Sequence, residues 1–95
     1  MNSKRSEKLW RHLVGEQLRE IRLARGDTLR GVGSRAGVSP QYLSEIERGF
    51  KEPSSEILAA IGASLDTTLL DLTVGVAERL SSAAGSSRGE FTLAA

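Results

Sequence analysis

The side chains with the most recognition chemistry to offer lie in one short run, Gln41 to Arg48. A glutamine amide donates and accepts at once, a carboxylate such as Glu45 accepts, and the hydroxyls of Tyr42 and Ser44 can do either. Leu43 and Ile46, three positions apart, face inward on a helix with Val38 behind them, so Gln41, Tyr42, Ser44, Glu45 and Arg48 are left on its outer face. Catalytic groups are scarce by comparison. His12 is the only histidine and is expected on the surface of its helix, there is no cysteine, and no paired carboxylates or glycine-rich phosphate loop after a strand can be found. The pattern points to a surface that binds. Neither an enzyme nor a cofactor or metal is expected.

The elements that must present this run are legible from their ends. Gly37 follows an apolar helical pattern (Leu29, Val32, Ala36) where the chain needs a positive φ, so one helix stops there. Ser39 then caps a new helix and Pro40 takes its first position, where a missing N–H costs nothing. Upstream, Trp10, Val14, Leu18 and Ile21 repeat at helical spacing with Leu9 and Leu13 beside them, predicting a long first helix from about Glu7 to Arg25, ended by Gly26, after a frayed start. Trp10 is read as core, or as packing on the C-terminal segment or a second subunit. Downstream, Ser54 caps a fourth helix to Ser64 with Ile57, Leu58, Ile61 and Leu65 as core. Thr68 caps a fifth, Leu69 to about Ala83, whose Leu69, Leu70, Leu72, Val74, Val76, Ala77 and Leu80 wrap more than one side. A small domain covers one such face, so the other calls for the same helix of a second copy, giving a homodimer through residues 69–83.

Ninety-five residues make one domain with a modest core. The expected division is an N-terminal arm or helix extension over 1–12, the folded unit over 13–80 and a Ser-, Ala- and Gly-rich flexible tail over 81–95, all-α throughout. No apolar run approaches the ~20 residues that cross a membrane, and the absence of cysteine fits a reducing cytosol. The net charge of +1 conceals an asymmetry: residues 1–51 carry a net +5 and residues 52–95 a net −4. A polyanion is drawn to the first half, since counterion release dominates affinity for nucleic acid. Lys4, Arg5, Lys8 and Arg11 read either as an arm reaching phosphates or as a solvated helix start.

The stretch Thr28 to Gly49, TLRGVGSRAGVSPQYLSEIERG, resembles the helix-turn-helix of the lambda-repressor and Cro type, the XRE family, and the following KEPSSEIL strengthens the match. YLSEIERG with KEPSSEIL is similar to the actinobacterial regulators that activate Clp protease genes; the resemblance covers roughly residues 13 to 73. It implies a compact five-helix lambda-repressor-like DNA-binding domain with an extended first helix. It further implies a dimeric, cytoplasmic, nucleoid-associated transcription activator of protease or stress genes. Its partners would be double-stranded DNA with a near-palindromic operator, RNA polymerase and Clp protease. In this motif the second helix, here 40–48, lies in the major groove.

Residue by residue, the resemblance puts base reading on Gln41, whose amide matches adenine N6 and N7 or pairs with guanine, with Ser44 and Glu45 one turn along. Glu45 accepts from cytosine N4 or else balances Arg48. Phosphate contacts fall to Thr28, Arg30, Ser39, Tyr42, Arg48, Lys51 and Ser54, and a structural ion pair to Arg22 with Glu47. The chain departs from its relatives at Leu29 and Pro40, where glutamines are common, at Gly33, commonly alanine, and at Phe50, where arginine is usual. Phe50 either packs on sugar or sits under Tyr42. The end, Leu93, Ala94 and Ala95, resembles the Leu-Ala-Ala signal by which Clp proteases recognise tagged substrates. The rival function on the same fold is an antitoxin-type module that binds a toxin protein, which an adjacent toxin-like reading frame would favour.

Overall fold

Four hydroxyl groups open helices and four left-handed residues close them. Thr28, Ser39, Ser54 and Thr68 accept hydrogen bonds through their side-chain oxygens from the N–H groups of Gly31, Tyr42, Ile57 and Asp71 at 2.9–3.1 Å, each satisfying a donor that the first helical turn cannot pair internally. At the closing ends Gly26, Gly37, Gly49 and Asp66 take φ of 75°, 77°, 80° and 58°. The next amide then turns back onto the helix: Asp27 to the Arg22 carbonyl, Val38 to Gly33, Phe50 to Glu45 and Thr67 to Gly62, at 2.9–3.0 Å. Asp66 is the non-glycine of the set, and aspartate tolerates this region better than most residues.

Between these joints lie α1 (Asn2–Arg25), α2 (Leu29–Ala36), α3 (Pro40–Glu47), α4 (Ser55–Ser64) and α5 (Leu69–Ala94), with no strand among the described residues. The computed structural model describes the backbone of residues 2–94 and the side chains of residues 10–82. Helix α1 begins ahead of Glu7 and α5 runs past Ala83. No proline interrupts either extension, and helix propagates at little cost once nucleated, so apolar periodicity does not mark where the backbone leaves the helix.

Every helix contributes to one core: Leu13, Val14 and Leu18 from α1, Val32 from α2, Leu43 and Ile46 from α3, Ile61 from α4, Leu65 just beyond it, and Leu72 and Val76 from α5. Ile57 and Leu58, expected in the core, pack at its rim. Trp10 is not a core residue. It is 41% exposed and lines a crevice with Val14, Leu58, Leu72 and Val76, because the neighbouring helices of so small a domain cannot enclose an indole.

The α1–α3 contact is the tightest feature. A Cβ on Gly15 would stand 2.5 Å from the Ile46 carbonyl oxygen, with the Glu47 carbonyl closer still, so the α1 backbone lies directly on the end of α3. One side of this contact holds a buried ion pair: Arg22 Nε donates to Glu47 Oε2 at 2.7 Å and Nη2 to Oε1 at 2.9 Å, while Nη1 donates to the Asp27 carbonyl at 3.0 Å. The two residues are 8% and 7% exposed. Hydrogen bonding to the Glu47 carboxylate raises the Arg22 pKa above its ordinary value, so the guanidinium stays charged.

Two measurements check this contact. In urea unfolding, Arg22→Met and Glu47→Leu should each cost about 3–5 kcal/mol by stranding the other charge, with the double variant losing much less than the sum of the two; small, independent effects would refute the coupling. Gly15→Ala should cost about 1–3 kcal/mol through overpacking against backbone, lowering the melting midpoint by about 4–8 °C per kcal/mol. An unchanged midpoint would mean that α1 and α3 are not in contact there.

Candidate nucleic-acid interface

With Leu43, Ile46 and Glu47 buried on one side of α3, the opposite side must face outward, since successive side chains advance about 100° around a helix. Gln41 is exposed there, and its Nε2 donates to Glu45 Oε2 at 3.1 Å. The pairing across one turn holds both side chains on a single ridge. Ser44, half-buried, sits to one side of it in a groove of about 860 Å³ lined also by Arg19, Arg22, Leu29, Arg48 and Phe50. The Tyr42 ring packs partly against the core, which leaves an amphipathic side chain at the rim.

The caps that start the helices also furnish polar groups at the surface. Thr28, Ser39 and Ser54 are exposed, and each hydroxyl oxygen accepts from its own helix while its proton is left to be donated elsewhere. Arg30 and Lys51 are exposed cations. Arg48 caps α3, and its guanidinium lies over the Phe50 ring, 4.7 Å from the centroid. Glu45 is thus hydrogen-bonded to Gln41, and the Phe50 ring has the Arg48 guanidinium as a neighbour.

Three expectations for α1 need correction or fall outside the description. His12 is half-buried, with Gly49 against its ring, because the turn after α3 folds back onto α1. Arg11 points to the same turn, donating from Nε to the Gly49 carbonyl at 3.4 Å and lying 4.0 Å from Glu52, so it is engaged within the chain. Lys4, Arg5 and Lys8, like Leu93, Ala94 and Ala95 at the other end, lie outside the residues whose side chains are described.

Several structural residues escaped the sequence reading. Asp27 bridges Arg25 at 2.9 Å and Arg35 at 3.1 Å; the hydrogen bond from Arg25, then the charge of Arg35, hold its carboxyl below the usual range. Arg35 also donates to the Ser64 carbonyl at 2.9 Å, tying α2 to the end of α4. Arg79 of α5 donates to Gln17 at 2.6 Å and pairs with Glu20, closing α5 over α1. Among the described residues no group of His, Cys, Asp and Glu could hold a metal ion, and no single helix is long and apolar enough to cross a membrane.

Comparison with known proteins agrees with this geometry. The family model described as helix-turn-helix matches residues 18–72. The chain is 50% identical over 72 residues to the transcriptional regulator ClgR of Mycobacterium tuberculosis, covering 76% of this chain and 64% of that protein's length. It is 36% identical over 63 residues to the regulator SinR of Bacillus subtilis, covering 62% of this chain and 57% of that one. The crystal structure of the clp gene regulator ClgR from Corynebacterium glutamicum superposes with a TM-score of 0.77 at 37% identity, covering 88% of this chain and 89% of the other. The chain thus spans 64% of the length of the curated ClgR relative it matches. With five helices in the order described and the family pattern running through α2 and α3, it belongs to the helix-turn-helix family of the lambda-repressor and Cro type.

Proposed function

We propose that this protein is a sequence-specific DNA-binding regulator of transcription that acts as a dimer, places α3 in the major groove and controls protease genes of the clp kind. The observation that carries the reading is the division of α3: Leu43, Ile46 and Glu47 are locked inward while Gln41 stands exposed on the far side. In this reading Gln41 and Glu45 exchange their mutual hydrogen bond for base edges, with Ser44 beside them. Thr28, Arg30, Ser39, Tyr42, Arg48, Lys51 and Ser54 fix the position on the phosphates. The choice of target genes rests on the similarity to the two ClgR proteins, one a transcriptional regulator and the other a clp gene regulator.

Dimerisation rests on α5. Leu72 and Val76 turn into the core at 1% and 3% exposure, whereas Leu69, Leu70, Val74 and Leu80 remain exposed, Leu70 at 71%. A second α5 covers that face and relates two copies by a two-fold axis, which sets the two recognition helices about 34 Å apart on a near-palindromic site.

Binding to a duplex selected from a random pool should weaken linearly with salt on logarithmic axes, by about 0.9 per neutralised phosphate. Gln41→Ala should cost about 1–3 kcal/mol and relax selectivity at one base pair, while Lys51→Ala should weaken all sequences alike. If no duplex is retained at low salt, the regulatory reading fails. Leu70→Glu combined with Val74→Glu should give a helical monomer in sedimentation equilibrium; a dimer of undiminished stability would move the interface off α5.

A further inference from the structure

The turn after α3 holds a phenylalanine in an unusual setting. Gly49, with φ of 80°, lets the Phe50 N–H return to the Glu45 carbonyl at 2.9 Å and the Gly49 N–H to Ile46 at 3.0 Å. This closing motif ordinarily brings the residue in the Phe50 position into apolar contact with the one in the Glu45 position. Glu45 is acidic and bonded to Gln41, so that contact is replaced. The ring remains 64% exposed, and what lies on its face is the Arg48 guanidinium at 4.7 Å from the centroid.

The geometry points to Phe50 as a positioning residue for Arg48: the ring, carried on the closing turn of α3, holds the guanidinium aimed at a DNA phosphate beside the C-terminal end of that helix. The inference rests on the reading of α3 as the groove-facing helix. An exposed arginine side chain loses rotamer freedom when it is ordered at a phosphate, and a ring beneath it removes part of that freedom before binding. A planar guanidinium can stack on a ring and still present N–H donors along its edge, so the stack and the phosphate contact are compatible. Gly49 and the two backbone hydrogen bonds hold the Phe50 backbone independently of its side chain, so replacing the ring leaves the turn in place. The exposed aromatic at this position is thereby explained by what it does for its neighbour.

The test uses the full chain and a mixed-sequence duplex at low salt, where sequence-independent phosphate contacts dominate. Phe50→Ala should weaken binding about 2- to 5-fold, the span of an exposed cation–ring interaction. It should also flatten the salt slope in the direction seen for Arg48→Ala, whose full loss is about 0.9. The double variant should bind no worse than Arg48→Ala alone, and Phe50→Trp should bind as the parent does. Additive losses would show that the ring touches DNA itself, and parental binding by Phe50→Leu would show that any apolar group suffices; either overturns the proposal, as does parental binding by Phe50→Ala. A parent chain that binds no duplex would instead count against the function proposed above. Circular dichroism of each variant reports that the fold is retained.

Discussion

Burying opposite charges is tolerated only when they are mated through hydrogen bonds, and the Arg22–Glu47 pair meets that condition with two bonds from one guanidinium edge. An apolar contact survives small slides and rotations, but a two-point fork does not, because displacement along α1 lengthens both bonds together. The pair therefore acts as a selector of geometry. Gly15 acts in the same place by a different means, removing the one carbon that would hold the helices apart. Together they leave α3 a single pose against α1.

That pose settles what α3 can offer. Its inner positions are committed to the core and to the ion pair, so whatever it recognises must be met by the remaining positions, and those are polar. Around this buried contact lies a more loosely coupled shell of charges: Asp27 with Arg25 and Arg35, Asp66 with Arg25, and Arg79 with Glu16 and Glu20. Exposed pairs of this sort contribute little to stability, because solvent screens them. Their value is directional, since they join the end of α1 to α2 and to the turn after α4, and α5 to α1.

What could be read from the chain in advance was whatever is encoded locally. The breaks at Gly26 and Gly37 and the starts at Ser39, Ser54 and Thr68 are each written within a few residues, and the helices follow from them. Long-range facts were less accessible. Arg22 and Glu47 lie 25 positions apart, so their pairing was available from the family resemblance and not from any spacing. A glycine inside an apolar helix signals close approach, yet nothing around Gly15 names α3 as what approaches. Trp10 shares the apolar stripe of α1, but periodicity does not say how far the covering helices reach. His12 and Phe50 depended on the path of one turn, which placed Gly49 against an imidazole and a ring beneath a guanidinium.

The hydrogen-bonded closures that end α1 through α4 each span no more than six consecutive residues. Joining ends so near in sequence sacrifices little chain entropy, and such local events belong to the microsecond regime or faster. The polypeptide can thus acquire its corners early, reducing the conformational search to a few short rods hinged in preset directions. What remains is for those rods to find one another, and the most demanding rendezvous is the one in which an arginine on the first meets a glutamate on the third.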